Sequence, residues 1–407
     1  MPLSVKQRDY ILDPSAIKVS HGSIRSAKTT AQIIDWLRWV PDAPPGPLAV
    51  VGRTRDTVGR NILDVIQQLE PRAIQWRLGA PTARIMGRTH HVLGANDVTS
   101  EAKVRGLTLA GAMVDEVTLI PEAFFTTLLG RLSVDGARLM GTTNPDSPAH
   151  WFKEKFLDRA DALGWSVWHF TMEDNPGLSD AYRKRVAAEY TGLFYRRFIL
   201  GEWVSAEGAI YDTWDPARHV IPFEELPEIT RTLGVGIDYG TTNATSAVML
   251  GLGVDGILYA MDEWRYDATE SAARLTDAGL SRRLRDWLPG QHHPQDAPPP
   301  EWLFVDPAAA SFKVQLGADG VTNLTNGSNA VLYGIRTVSS LLATGRLRIS
   351  SRCSGLLKEF PGYSWDPKAT ARGEDAPLKV ADHSLDALRY AVATTETEWR
   401  PYMNLTS

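Results

Sequence analysis

His21–Thr30, HGSIRSAKTT, reads as a phosphate-binding loop, and the fold of the first half follows from that reading. Gly22, four residues, Ala27, Lys28 and Thr29 fit G-x-x-x-x-G-K-[ST] with one departure, Ala27 in place of the last glycine. Small residues such as Gly22, Ser23, Ser26 and Ala27 let backbone N–H groups turn toward phosphate oxygens. Lys28 would reach the β- and γ-phosphates of ATP, and the Thr29 hydroxyl would hold Mg²⁺. The flanks agree. Ile17–Ser20 is a short apolar run of strand type, and Thr29–Val40 carries Ile33, Ile34, Leu37 and Val40 on one helical face. Strand, loop, helix is the required order, and a helix N-terminus attracts anions. A chance Gly-Lys-Thr loop is the alternative at this point.

The chain has 407 residues and a net charge of −5, which argues for about two to three domains, each able to bury a core. Bulk charge gives no hint of nucleic acid, so any DNA contact must come from local basic patches. No apolar run approaches the ~18–20 residues of a membrane span. The start, MPLSVKQRDY, lacks the apolar core of a secretory signal. A lone cysteine, Cys353, cannot form an internal disulfide, which fits a reducing cytoplasm. The expected protein is neither secreted nor membrane-bound.

Several further stretches of the first half carry chemistry. Gln7 and Tyr10 precede the loop where such ATPases contact adenine; a solvated N-terminal helix is the plainer reading. Leu48–Gly52 is a buried-strand run, Thr57–Leu69 is helical, and short strand-type runs surround Ile74, Ile85 and Val92. This alternation predicts a mostly parallel α/β sheet. Leu109–Glu116, LAGAMVDE, is an apolar strand ending in two acids, the Walker B arrangement. Asp115 would hold Mg²⁺, and Glu116 would orient or deprotonate the attacking water. Ala137–Pro145 is a third strand ending in Thr142, Thr143 and Asn144, beside the γ-phosphate in ATPase motors. Ser179–Leu200 is helical, with basic clusters Arg183–Arg185 and Arg196–Arg197 that read as a solvated or a DNA-facing surface.

Prolines and lost periodicity mark 201–227 as a linker, dividing 1–200 from 228–407. The strand pattern then restarts: Gly234–Leu250 holds two strands, the first ending in Asp238, and Ile257–Trp264 is a third. Thr269–Leu288 reads as a helix. His292 and His293 invite a metal reading, but a proline-rich solvent loop is the better one. Glu301–Pro307 is a strand ending in Asp306, and Ala381–Val392 is a late helix with Asp382 and Asp386 at i, i+4. This is the element order of an RNase H-like nuclease. Its chemistry needs carboxylates from separate elements converging on two divalent ions. Asp238, Asp306 and Asp386 are the three ligands. Asp382 is an auxiliary candidate, with a surface carboxylate the preferred reading.

HGSIRSAKT, KVRGLTLAGAMVDE, GTTNP, FTMEDNPGL (Phe170–Leu178) and GEWVSAEGAIY (Gly201–Tyr211) together resemble the large terminase subunit of tailed bacteriophages, most of all its PBSX-type branch. Order and spacing match over nearly the whole chain, and the last two stretches are foreign to P-loop ATPases in general. The resemblance implies a P-loop ATPase motor of the ASCE/RecA-like kind followed by an RNase H-like nuclease. It implies ATP-driven movement of double-stranded DNA into a procapsid and cutting of the concatemer with Mg²⁺, for which Mn²⁺ could substitute. It also implies a ring of five subunits on the portal protein, a small terminase subunit as partner, and a monomer when isolated. The place of work would be the host cytoplasm, transiently at the portal. Arg25 would touch the γ-phosphate in cis; Arg105, with Arg131 second, would reach a neighbour's ATP. A surface salt bridge is the rival reading for both Arg105 and Arg131. His383 matches the family's His-x-x-Asp and would bind the second metal or support it. Two other readings stay open: a helicase-like ATPase whose second domain only binds DNA, and a capsid or portal scaffold that binds nucleotide structurally.

Overall fold

The computed structural model describes residues 2–240, 244–267 and 274–404, and these divide into two compact units. Unit 1 comprises Met1–Ala187, Leu193–Ala206 and Thr370–Glu374; unit 2 comprises Ala188–Gly192, Glu207–Ala369 and Asp375–Ser407. The stretch expected as a linker therefore divides at Ala206.

Unit 1 is built on a mixed sheet of β1 (Ile17–Gly22), β2 (Leu48–Gly52), β3 (Ile74–Gln75), β4 (Thr82–Ile85), β5 (Arg88–Gly94), β6 (Gly111–Val114), β7 (Arg138–Thr143) and β8 (Ser166–Phe170). Their order is β3-β4-β5-β2-β6-β7-β1-β8. The pairs from β5 to β8 are all parallel; only the β3–β4–β5 edge is antiparallel. β2, LAVVG, is buried along its whole length, as a central strand covered on both faces must be. In a parallel sheet every strand ends on the same edge. Gly22 ends β1, and Asp115 and Asn144 follow β6 and β7, so the three arrive side by side.

The helix after the loop, α1 (Lys28–Trp39), buries more than one apolar stripe. Trp36 is fully buried, whereas Ile34 and Leu37 are only half-buried, and the fully buried Asp35 forms an ion pair with Lys18 of β1. The Lys18 ammonium also donates to the carbonyls of Tyr10 at 3.0 Å and Asp13 at 2.8 Å. Breaking such a pair leaves an uncompensated buried charge. Asp35→Ala is expected to lower the unfolding free energy of unit 1 by about 3–5 kcal/mol. Arg38→Ala, removing an exposed guanidinium 3.9 Å from the same carboxylate, should cost less than about 1 kcal/mol. Denaturant melts of both variants check this.

His90, fully buried in β5, accepts from Trp36 Nε1 at 3.1 Å through Nε2, so Nδ1 carries the proton toward the Arg88 carbonyl at 3.0 Å. Burial pushes its pKa down to about 4. The unfolded chain titrates near 6.5, so it binds the proton first as pH falls. Stability is complete above about pH 6.5 and declines toward pH 4. His90→Gln should flatten that slope in melts taken between these values. An unchanged slope would place the acid sensitivity elsewhere.

Unit 2 holds β9 (Val220–Ile221), β10 (Ile229–Asp238), β11 (Ala244–Gly253), β12 (Leu258–Asp267), β13 (Leu303–Val305), β14 (Leu324–Asn326) and β15 (Leu347–Ser350). The order is β14-β13-β10-β11-β12-β15-β9. β10, β11 and β12 run antiparallel, and β13 joins β10 in parallel, with Ile237 opposite Val305. Asp238, ending β10, and Asp306, just after β13, therefore lie at one sheet edge on neighbouring strands. α2 (His383–Thr394) lies across β10 and β11. Gly236 permits this close approach: a Cβ there would meet the Ala387 carbonyl oxygen at 1.9 Å.

Three expectations for unit 2 need correction. The helix expected from Thr269 is seen as Asp277–Trp287, and residues 269–273 lie outside the described residues. His292 and His293 are not on a solvent loop; both are buried. His292 meets Asp262 at 2.8 Å and His293 meets the Pro227 carbonyl at 2.8 Å. Asp382 is not a surface carboxylate but buried and ion-paired to Lys379 at 3.0 Å.

Candidate functional sites

Each unit carries a cleft at the edge where its sheet collects polar residues. In unit 1 the loop following β1 borders a cleft of about 390 Å³, lined among others by Arg25, Ser26, Lys28, Thr29, Glu116 and Asn144. Gly22 has φ +137°, and a Cβ there would overlap the Phe170 carbonyl oxygen at 1.8 Å, so only glycine fits at this end of the β1–β8 pair. Ala27 stands at φ +61°, in the left-handed region. A glycine adopts that conformation freely, whereas alanine carries about 1–2 kcal/mol of strain. Arg25 is left-handed as well, and its carbonyl accepts from Asn175 Nδ2 at 2.7 Å.

The buried Lys28 ammonium donates to Asn144 Oδ1 at 2.6 Å and the Ser23 carbonyl at 3.2 Å. Burial lowers its pKa, while Glu116 and Asp115 oppose that shift. The Glu116 carboxylate accepts from Asn144 N at 3.1 Å and Asn144 Nδ2 at 3.0 Å. Burial raises its pKa against the pull of Lys28, and Asp115 raises it further. Glu116 is also in the left-handed region, at φ +53°. Asp115 accepts from Asn61 at 2.9 Å and from Thr142 at 3.2 Å. Thr143 turns away from the cleft to bond Thr118 at 2.7 Å. Among the described residues the buried hydroxyls of Ser23 and Ser26 have no hydrogen-bond partner. Orphaned donors beside a buried ammonium suit an anion with several oxygens.

Four residues proposed from sequence stand apart from this cleft. Gln7 is buried and completes a capping box with Ser4 at the start of the Val5–Leu12 helix. Tyr10 packs edge-on against Trp168 and Phe170. Arg105 is exposed and donates twice to Glu101, each at 3.1 Å. Arg131 ends the Glu122–Arg131 helix and does not line the cleft. Asn175 went unassigned although it lies in the FTMEDNPGL stretch; an Asn-Pro-Gly turn following a strand is the signal that could have singled it out.

In unit 2, Asp238, Asp306, Asp386, Asp382, His383, Lys379, Arg389 and Tyr390 share a cleft of about 810 Å³. His383 Nδ1 and Asp238 Oδ2 are 2.8 Å apart. Burial raises the Asp238 pKa, the His383 contact lowers it, and Asp386 and Asp306 push it up. The contact with Asp238 raises the pKa of His383. Asp386 Oδ1 takes Arg389 Nη2 at 3.0 Å, and Oδ2 takes Lys379 Nζ at 2.9 Å. Glu359 accepts from the Ser384 and Leu385 backbone N–H groups at 2.8 and 3.0 Å, fixing the start of α2.

Carboxylates and one imidazole suit a hard divalent cation. Mutual repulsion among the acids is the electrostatic state such a cation relieves. Among the described residues no three His, Cys, Asp or Glu side chains gather closely enough, as they stand, to hold one ion. Mg²⁺ is commonly bound by one or two carboxylates with water completing its shell. The donor set therefore fits, with water supplying the remaining positions. Arg389 stands at i, i+3 from Asp386 on α2, a local helical pair that the sequence carried; Lys379 precedes the helix, and only the fold brings it to Asp386.

The comparisons with known proteins agree with one another. Residues 20–215 match the family model "Terminase large subunit, T4likevirus-type, N-terminal". The motif resemblance leaned to the PBSX-type branch, and the level common to both is the large terminase subunit. A curated relative, the terminase large subunit of Escherichia phage T5, is 25% identical over 287 residues, covering 67% of this chain and 61% of that protein. The chain thus spans less than two thirds of that relative. The large terminase of a thermophilic bacteriophage superimposes with a TM-score of 0.87 at 34% identity, covering 97% of this chain and 99% of that one. The same thermophilic-phage protein in complex with ATP-gamma-S gives 0.84 at 33% identity, over 96% and 98% of the two chains. At that identity, and with both chains covered almost end to end, this α/β protein belongs to the large terminase family of tailed bacteriophages.

Proposed function

We propose that the chain is a DNA-packaging motor and nuclease. Unit 1 would be the P-loop ATPase of the ASCE/RecA-like kind, and unit 2 the RNase H-like nuclease. One arrangement carries the motor reading: Lys28, Asp115, Glu116 and Asn144 meet at the ends of three parallel strands beside two orphaned serine hydroxyls. The thermophilic-phage relative's complexes with ADP and ATP-gamma-S support ATP as the ligand.

In this reading Lys28 leaves Asn144 for the β- and γ-phosphates. Thr29 and Asp115 hold Mg²⁺, which supplies charge neutralisation on the phosphates when bound. Glu116 aligns and deprotonates the attacking water, and Asn144, bonded to both Glu116 oxygens, carries the γ-phosphate state into strand β7. Arg25 contributes charge in cis, and Arg105, released from Glu101, is the leading candidate to reach a neighbouring subunit.

In unit 2, Asp238, Asp306 and Asp386 with His383 would hold divalent metal, Mg²⁺ or Mn²⁺. When bound, the metal supplies a nucleophilic water and stabilises the leaving 3′-oxygen. His383 orients Asp238, and Arg389 holds Asp386. The substrate is double-stranded DNA, held mainly through phosphates, so affinity should fall steeply with salt. The partners would be the portal protein and the small terminase subunit. The assembly would be a ring of five in the host cytoplasm, formed on the portal from a soluble monomer.

Phosphate release from the intact protein, stimulated by double-stranded DNA, tests the motor. Lys28→Ala should reduce it to background. Absence of release from the wild type, or release unaffected by that change, would favour a structural nucleotide site.

A further inference from the structure

Both oxygens of Asp386 are occupied by cationic side chains, and the two cations differ in kind. Arg389 on Oδ1 is buried, with its methylenes seated on Gly334, where a Cβ would meet Arg389 Cγ at 2.3 Å. That guanidinium is a fixture of the core. Lys379 on Oδ2 is 61% exposed and also lies 3.0 Å from Asp382 Oδ2. The turn at Ala381, with φ +48°, brings Lys379 back over the start of α2. An exposed ammonium therefore sits between two carboxylates, at the one Asp386 oxygen that Arg389 leaves open.

We infer that Lys379 is a built-in stand-in for the metal. Its ammonium neutralises Asp382 and Asp386 while the site is empty and must be displaced before a divalent ion takes Asp386 Oδ2. This deepens the nuclease reading and rests on it: the lysine sets the metal concentration at which the centre assembles. The displaced ammonium keeps its proton and passes to solvent, so the exchange is one of charges only. Two partly exposed ion pairs are a modest competitor. Their removal should tighten metal binding by roughly three- to tenfold.

The test is calorimetric titration of the full chain with MnCl₂, without DNA, alongside thermal melts with and without Mn²⁺. Lys379→Met should bind Mn²⁺ roughly three- to tenfold more tightly and gain a larger Mn²⁺-induced rise in Tm. Lys379→Arg, keeping the charge, should bind as the wild type does. Unchanged or weaker Mn²⁺ binding by Lys379→Met overturns the inference, including the case where only the KM for DNA rises and the lysine is a phosphate contact. Asp238→Asn separates the two levels. If it weakens Mn²⁺ binding, the nuclease reading stands and the Lys379 variants decide the inference alone. If the wild type binds no Mn²⁺, both fall.

Discussion

Glu116→Gln is expected to slow DNA-stimulated ATP hydrolysis by about 10²–10⁴-fold while nucleotide affinity changes only a few-fold. The residue adds nothing to the loop's hold on phosphate: its two oxygens face Asn144, not Lys28. What Gln removes is the basic oxygen. Burial, with the neighbouring Asp115, raises the Glu116 pKa against the pull of Lys28 and of the two Asn144 hydrogen bonds. A carboxylate brought closer to the working pH is a better proton acceptor. Gln can accept from Asn144 through its one oxygen, so one of the two contacts survives and the left-handed backbone at φ +53° is unaltered. Single-turnover hydrolysis beside equilibrium binding of a fluorescent ATP analogue separates chemistry from affinity. Hydrolysis within threefold of the wild type would remove Glu116 from the base role. An equal loss of binding would make it a structural residue of the loop.

Much of this site was legible because its residues follow apolar strands. An acid or amide after a buried run sits at a sheet edge whatever the strand order, and Asp115, Glu116, Asn144, Asp238 and Asp306 could all be placed that way. The sequence could not say which long-range partners a residue meets. Asp382 looked like a surface carboxylate because Lys379 reaches it only through the turn at Ala381. His292 looked solvated because Asp262 comes from a different strand. Gln7 is another case: Ser4-x-x-Gln7 is itself a capping-box pattern, a purely local signal that accounts for Gln7 without an adenine contact. Short edge strands such as Leu324–Asn326 escaped because three residues are too few to show a period.

Asp306→Asn is expected to abolish metal-dependent nicking of supercoiled plasmid, by at least about 100-fold, with the fold intact. Loss of a group that merely supports a metal ligand costs about 10–100-fold, and a ligand should cost no less. The choice of Asn matters because Asp306 has a structural task as well. Its Oδ1 accepts from Ala308 N at 2.9 Å, shaping the turn that leads into the Ala310–Ala318 helix. Asp306→Ala removes the charge and the turn together, so its loss of activity alone would not locate the metal site. Asn keeps an oxygen for the turn and loses only the charge. Nicking should be read with Mg²⁺ and with Mn²⁺, without ATP, beside thermal melts of all three proteins. Loss in both variants, with only Asp306→Ala melting lower, places the metal at Asp306. Loss in Asp306→Ala alone would assign Asp306 to the turn. Nicking unchanged in both would take Asp306 out of the metal site and leave the cutting to the other acids of the cleft, Asp238 beside His383 and Asp386 between Arg389 and Lys379. No nicking by the wild type with either ion would leave unit 2 as a DNA-binding partner of a helicase-like ATPase.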